Sequence, residues 1–201
     1  TKVWRVADGA LEAGSLERNQ EKNDFLATTR AYENFDLSLQ WKLEGTKGFV
    51  NGGVQFRSAR IPNHHEMKGY QADLGAGYDG CLYDESRRNK VLARPDAATQ
   101  KQAMKPAGEW NDYRIRAEGA RIRIWLNGVQ TVDYVEPDDA IPRSGVIALQ
   151  IHGGATSLVR YRNLRLETLP ATPTSAPLFD GATKTGWGGA ADRFWKVEGG
   201  A

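Results

Sequence analysis

The sequence lacks several features that would assign it quickly to a class. It contains a single cysteine in 201 residues, which excludes an internal disulfide framework. Lys and Arg number 27 against 25 Asp and Glu, so the basic excess typical of nucleic-acid binding is missing. No apolar run approaches the roughly 18 residues that a membrane helix needs. We therefore expect neither a nucleic-acid partner nor a membrane span.

Familiar catalytic and metal-binding motifs are also scarce. There is no His-Glu-x-x-His zinc motif, no calcium loop and no Gly-x-Ser-x-Gly nucleophile elbow. His64 and His65 follow Pro62, a context that favours a surface loop over a metal site. We predict no metal ligands from these patterns.

The sequence is rich in glycine and aromatic residues, and several segments alternate apolar and polar residues. The chain carries 22 Gly, 6 Trp and 7 Tyr. Apolar and polar residues alternate over 35–43, 113–117 and 121–126, the period of a half-buried strand. Asn127-Gly128 separates two alternating runs and predicts a hairpin with a type I′ turn. Only 85–104 is expected to be helical or irregular, so the sequence predicts an all-β sandwich or barrel.

Three predicted strands carry polar residues two positions apart, with apolar neighbours between them. The pairs are Gln55 with Arg57, Gln71 with Asp73, and Gln150 with His152. Because side chains alternate along a strand, each pair lies on one face, and strands of one sheet would bring the pairs together. The cluster is either an ordinary solvated face or a saccharide or catalytic cleft. Glutamine suits hydroxyl-rich ligands because its amide both donates and accepts.

A second candidate segment spans 80–88 and is rich in chemically active side chains. Tyr83 can stack on a sugar or donate a proton, or it is simply a tyrosine at a strand end. Cys81 is expected to be small and buried, because no second cysteine or base motif supports a nucleophile. Asp73 is the only acid in the predicted polar cluster, which argues mildly against ordinary two-carboxylate glycoside hydrolysis.

Together these stretches resemble the 3-keto-disaccharide hydrolase family. The matching segments follow the family order and lie at 35–42, 51–57, 69–73, 80–83, 106–111, 124–128, 147–153 and 161–164. The resemblance implies a concanavalin A-like jelly-roll β-sandwich of two antiparallel sheets over 1–168. It also implies action on glycosides whose sugar is oxidised at C3. One departure is Gln71, since many relatives have Glu after the tyrosine.

The end of the chain resembles the usual start of the family. Residues 169–177 hold three of the eight prolines and predict an extended linker. The family's opening Leu-Phe-x-Gly, Gly-Trp and Trp-x-Val elements occur within 178–201, while the chain opens inside the same motif at Trp4. We therefore expect 178–201 to begin a second copy or to be a permuted or swapped first strand of the domain. Because the chain starts at Thr1 without Met or signal sequence, we expect the natural N-terminus to precede it.

The chemistry implied by the resemblance is an elimination at the oxidised sugar. A 3-keto group acidifies the C2 proton; a base removes it, the C1 substituent leaves, and water completes net hydrolysis. In this scheme His152 or Asp73 is the base, Arg57 stabilises the enolate and Tyr83 protonates the leaving oxygen. The substrate-binding residues would be Gln55, Gln71, Gln150 and Arg87. No cofactor is certain, and a divalent metal in place of Arg57 stays open.

This fold serves several functions, so two alternatives stay open. The first is a non-catalytic carbohydrate-binding module of a larger exported protein, and the second is a structural interaction domain. Binding would use exposed aromatics such as Tyr78 and Trp187. Convergence of Arg57, Asp73 and His152 in one pocket would favour an enzyme, and scatter would favour a binder. The family resemblance implies a periplasmic or secreted protein, with a saccharide or 3-keto-glycoside as partner.

Overall fold

The computed structural model of the protein describes residues 3–106, 108–171, 182–184 and 196–198. The chain divides into two compact units, Thr1–Ala171 and Thr172–Ala201. Most of the predicted second-copy segment 178–201, including Trp187, lies outside the described residues. The account below concerns the first unit.

The first unit is a sandwich of two antiparallel sheets. Its strands are β1 (Trp4–Ala7), β2 (Ala10–Gly14), β3 (Asp24–Tyr32), β4 (Phe35–Gly48), β5 (Asn51–Arg60), β6 (Met67–Gly75), β7 (Leu82–Glu85), β8 (Lys90–Ala93), β9 (Asn111–Glu118), β10 (Arg121–Leu126), β11 (Val129–Val135), β12 (Gly145–Ile151) and β13 (Ala155–Thr168). One sheet has the order β1-β2-β13-β4-β9-β10-β11, and the other has the order β3-β12-β5-β6-β7-β8. The predicted all-β jelly-roll sandwich is therefore confirmed.

The core lies between the sheets and follows the predicted alternation. In β4, Phe35, Leu37, Leu39 and Trp41 are buried, while the residues between them are only partly buried. The facing sheet contributes the apolar side of β5, β6 and β12 to the same cluster. Each large apolar side chain removed from water contributes about 1.5–3 kcal/mol, so this layer holds the sheets together.

Local turn chemistry also follows the sequence. Asn127 and Gly128 join β10 to β11 with φ angles of 50° and 82°, the left-handed pair of a type I′ turn. The segment expected to be helical or irregular contains β8 and the short helix α1 (Ala97–Ala103). Asp96 caps α1 by accepting a hydrogen bond from the Thr99 backbone N–H at 2.7 Å. Within the described ranges, no helix is long and apolar enough to cross a membrane.

The six-stranded sheet positions the polar residues that the sequence singled out. Strands β12, β5, β6 and β7 are neighbours in that order. Gln55 pairs with Gln71 across β5 and β6, and Gly53 pairs with Gln150 on one side and Asp73 on the other. The predicted strands thus share one sheet, and the three glutamines and Asp73 lie on its side opposite the core.

Candidate functional site

Three glutamines form the floor of the site. Gln55, Gln71 and Gln150 lie on three adjacent strands, on the side of the sheet opposite the core. We call this side the amide face. All three are almost completely buried, at 0–1% exposed. Glutamine is rarely buried to this degree without a specific partner.

The buried amides lack hydrogen-bond partners in the described part of the protein. Both polar atoms of Gln55, both of Gln150 and Oε1 of Gln71 are buried without a hydrogen-bond partner, although Gln150 lies close enough to Glu85 to offset part of the rise in the pKa of that acid. A buried amide without a partner costs about 1–3 kcal/mol, so natural proteins seldom retain several together. These atoms supply donors and acceptors side by side, which is the combination that sugar hydroxyls require.

Gly53 makes room for this arrangement. A Cβ atom at Gly53 would lie 2.4–2.7 Å from the side-chain amide of Gln71. A side chain at this position would push Gln71 aside, so glycine here lets Gln71 lie across β5. The glycine is therefore part of the shape of the amide face.

Asp73 lies next to the glutamines and is the most perturbed acid of the site. It is 4% exposed, and its Oδ1 accepts hydrogen bonds from Asn51 Nδ2 and the Leu74 backbone N–H, both at 2.9 Å. Burial raises the pKa of Asp73 to about 8 despite these two bonds. A carboxylate with this pKa is a much stronger base than an exposed aspartate, and it can exchange a proton near neutral pH.

Tyr83 and Glu85 extend the amide face along β7. Tyr83 is paired with Gln71, and Glu85 is paired with Gly69. Burial raises the pKa of Tyr83, and nearby Glu85 and Asp73 add to the rise. Burial also raises the pKa of Glu85, with a further contribution from Glu66. Tyr83 therefore keeps its proton at neutral pH and can donate it.

His152 and two aromatic rings border one end of the amide face. The ring centroid of Phe49 lies 4.9 Å from His152 and 6.1 Å from Tyr78, and Tyr78 lies 6.4 Å from Tyr83. Nδ1 of His152 is 2.6 Å from the carbonyl oxygen of Gly153. A proton on Nδ1 would satisfy this contact and leave Nε2 unprotonated.

Arg57 does not join the amide face, which corrects the expected alternation. A bulge interrupts the pairing of β5 and β6 between Phe56 and Ala59, and Arg57 has a φ of 48°. Its guanidinium donates to the backbone oxygens of Glu33 at 2.8 Å and Gly119 at 2.7 Å. These oxygens belong to turns leading into strands of the other sheet, so Arg57 fastens the two sheets together.

Arg87 is likewise engaged away from the glutamines. It donates to buried Asp84 at 2.8 Å, and its guanidinium lies 4.5 Å from the centre of the Tyr70 ring. Tyr70 and Asp84 occupy the core side of β6 and β7, in a network that includes Arg88 and Glu136. The structure therefore gives Arg87 a packing role and does not place it against the predicted substrate.

The described residues do not fit a resident metal ion. They contain no group of three or more His, Cys, Asp or Glu side chains that could hold one. A divalent metal in place of Arg57 would need such a group, so no step is assigned to a metal.

Two residues of the site, Asn51 and Phe49, were given no role from the sequence. Glu85 lies in the candidate segment 80–88, and the alternation that selected Gln71 and Asp73 places it on the same face as Tyr83. Asn51, the partner of Asp73, likewise precedes Gly53 by two. Phe49 lies in the turn after β4 and is 42% exposed, and no periodic pattern marks it.

Solved structures share the sandwich at low identity. The carbohydrate-binding module CBM66 of Bacillus subtilis superposes with a TM-score of 0.64 at 16% identity, over 84% of this chain and 92% of that one. A protein assigned as a glycosyl hydrolase from Parabacteroides distasonis gives 0.59 at 23% identity, over 83% and 90%. A galectin-like protein of unknown function from Bacillus subtilis gives 0.60 at 10% identity, over 82% and 86%. At these identities the likeness establishes the fold alone.

Comparison by sequence establishes the family. Among curated proteins, none matches this chain. The pattern of one domain family matches residues 1–167, and it agrees with the resemblance drawn from the strand motifs. The chain therefore belongs to the family of 3-keto-alpha-glucoside-1,2-lyase-like domains.

Proposed function

We propose that this domain cleaves 3-keto-glycosides on its amide face by elimination, with water addition completing net hydrolysis. Family membership and the shared sandwich support a function on carbohydrates. The observation that carries the finer proposal is the group of five unpaired amide atoms beside an aspartate whose pKa is about 8. Hydroxyl recognition and proton abstraction need these two features next to each other.

Substrate binding is the first step of the proposal. The amides of Gln55, Gln71 and Gln150 are buried in the free protein, so side chains over them must move before they pair with the hydroxyl and carbonyl oxygens of the oxidised sugar. Binding thereby satisfies atoms that are costly to leave unpaired, so the free energy of binding includes the relief of that cost. Gln71 holds its position because Gly53 has no side chain.

Proton abstraction is the second step. Asp73 removes the C2 proton, and the electron pair of that bond forms an enolate with its charge on the C3 oxygen. Oδ1 of Asp73 already accepts two hydrogen bonds, so Oδ2 takes the proton. Arg57 is bound elsewhere, and we assign stabilisation of the enolate oxygen to the unpaired N–H groups of Gln55 and Gln150.

Departure of the C1 substituent completes the elimination. The enolate returns its electron pair to form a C1–C2 double bond, the C3 carbonyl is restored, and the C1–O bond breaks. Tyr83 gives its proton to the leaving oxygen. Addition of water across the new double bond then releases the 3-keto sugar. His152, at the end of the face, is the second candidate for the base, because its Nε2 is free to accept a proton.

Turnover of methyl 3-keto-α-glucoside tests this proposal. We expect the wild-type protein to release methanol, and Asp73→Asn to lose about 10²–10⁴-fold in kcat/KM. Because the base must be ionised, kcat/KM should rise with pH and level off above about 8. Asp139→Asn, which changes an exposed aspartate, is the matched control. A chelator should leave the rate unchanged.

The same assay separates the two candidate bases. His152→Gln is expected to change the rate less than Asp73→Asn. If Asp73→Asn keeps full turnover and His152→Gln abolishes it, the base is His152. If both variants keep full turnover, the elimination mechanism on this face is wrong.

Non-catalytic carbohydrate binding is the second candidate function. The end-to-end likeness to a carbohydrate-binding module supports it, as does the departure of Arg57 from the face. A binder would take up the 3-keto-glycoside without releasing its aglycone, and Asp73→Asn would leave the affinity nearly unchanged. Calorimetry beside the turnover assay distinguishes the two.

We also propose a periplasmic or secreted location, and we keep the proposal that 178–201 begins a second copy or supplies a swapped strand. Both rest on the family resemblance. Expression of residues 1–171 alone tests the second proposal: a stable monomer would favour a further copy, and an unfolded chain would favour a completing strand.

A further inference from the structure

A pocket at one end of the sandwich is not used by the proposed reaction. It lies among the turn between β4 and β5, the loop after β6 and the segment before β9, and has a volume of about 370 Å³. Leu43, Phe49, Val50, Met104 and Pro106 supply apolar walls. Pockets of a few hundred Å³ with apolar walls and few polar groups are typical of small-ligand sites.

Two polar groups at the pocket define what it can take, one buried behind its wall and one beside it. Trp41 is 2% exposed, and its indole N–H is buried with no acceptor in the described part of the chain. A buried indole N–H usually finds a partner, so this donor is an unfilled position that a ligand in the pocket reaches only when the side chains beside it move. Asp79 lines the same pocket, and its Oδ1 already accepts from the Gly75 backbone N–H at 2.7 Å. Its other oxygen can accept from a hydroxyl.

The pocket adjoins the end of the amide face where Asp73 lies. Phe49 belongs to both, since it lines the pocket and its ring also contacts His152 and Tyr78. Phe49 lies in the turn two residues before β5 begins at Asn51, and Gly53, the partner of Asp73, is two residues further along that strand. A sugar bound on the amide face with C1 towards Phe49 would direct its C1 substituent into the pocket.

We propose that this pocket is the aglycone subsite and that the preferred substrates are 3-keto-glucosides of phenolic, ring-shaped aglycones. This inference rests on the proposed function of the amide face. The aglycone ring packs against Phe49, Leu43 and Met104. An acceptor atom on the ring pairs with the Trp41 N–H, and a ring hydroxyl donates to Asp79. A small alkyl aglycone would leave the apolar walls and the indole N–H unfilled.

Binding of a free phenol tests the pocket without any turnover. The probe is 4-hydroxyacetophenone, which carries one hydroxyl and one carbonyl acceptor on a single ring. In a spectrum of the ¹⁵N-labelled indole groups, the Trp41 signal is assigned by its loss in Trp41→Phe, or by its contact with the Tyr113 ring at 5.6 Å. We expect saturable movement of this signal and no change for Trp125, which lies on the same sheet as Trp41 but does not line the pocket. An unmoved Trp41 signal would overturn the subsite.

Substrate preference then connects the pocket to the reaction. We expect KM for 4-acetylphenyl 3-keto-α-glucoside to be about tenfold below KM for the methyl glucoside, the size of one well-made hydrogen bond. Trp41→Phe should lose this preference, and Trp125→Phe should keep it. Turnover of the methyl glucoside with no aryl preference refutes the subsite and leaves the proposed function standing. Phenol binding without turnover of either glucoside refutes both the proposed function and the aglycone role.

Discussion

Replacement of Asp73 by Asn is expected to stabilise the folded protein at neutral pH. Burial raises the pKa of Asp73 from 3.8 to about 8, so the carboxyl must take up a proton when the chain folds near neutral pH. Asn has nearly the same shape and cannot ionise. Its side-chain oxygen can still accept from Asn51 and from the Leu74 backbone N–H.

The magnitude follows from the difference between the two pKa values. Below pH 3.8 the carboxyl is protonated in both states, and the stability that it contributes is fully present. Between pH 3.8 and about 8 the Asp73 carboxyl is ionised in the unfolded chain but stays protonated in the folded one. This difference lowers the free energy of unfolding by about 1.4 kcal/mol for each pH unit. At pH 7 the cost reaches about 4 kcal/mol as an upper bound, and Asp73→Asn removes it.

Urea denaturation across a pH series measures this effect. The gain in unfolding free energy of Asp73→Asn should grow from acid pH to about pH 8, with the dependence on urea concentration unchanged. Asp139→Asn is the control, because that side chain is 91% exposed and should change stability by less than about 0.5 kcal/mol. A loss of stability that is equal at every pH would refute the reasoning, since it would mean that folding does not shift the pKa of Asp73.

The remaining predictions concern the amide face and its support. Gln55→Met removes two unpaired buried atoms, so we expect about 1–2 kcal/mol more stability in urea and weaker sugar binding; a destabilised variant that binds normally would contradict this. Gly53→Ala pushes Gln71 aside and should raise KM by about tenfold with kcat less affected; an unchanged KM would mean that Gln71 does not bind substrate. Arg57→Ala unpairs two backbone oxygens and should cost about 3 kcal/mol in stability, while KM of the folded fraction stays constant. A changed KM in Arg57→Ala would mean that Arg57 contributes to substrate binding.

The fold could be predicted from the sequence because the patterns that indicate strands and turns are local. The alternation in β4, β9 and β10 selects which residues face the core, and the Asn127-Gly128 turn fixes a hairpin. These patterns depend only on the spacing of side chains along a strand. They do not give the order of the strands in each sheet, which arises from contacts between residues far apart in sequence.

Only part of the site could be predicted from the sequence. Alternation brought Gln55, Gln71 and Asp73 to one face, and it failed at Arg57 because a bulge inserts residues without a sequence signal of its own. The apolar pocket beside Phe49 could not be foreseen, since three loops that are distant in sequence build it. The sequence also does not show that the buried amides lack hydrogen-bond partners, because that depends on which distant residues the fold brings near them.

Exchange of the C2 hydrogen of methyl 3-keto-α-glucoside in heavy water tests the central claim most directly. Proton NMR follows loss of the C2 signal together with release of methanol. We predict that the wild-type protein accelerates both and that Asp73→Asn accelerates neither, although it still binds the sugar. Saturable binding by the wild-type protein with no acceleration of C2 exchange would contradict catalysis on the amide face and leave a carbohydrate-binding module.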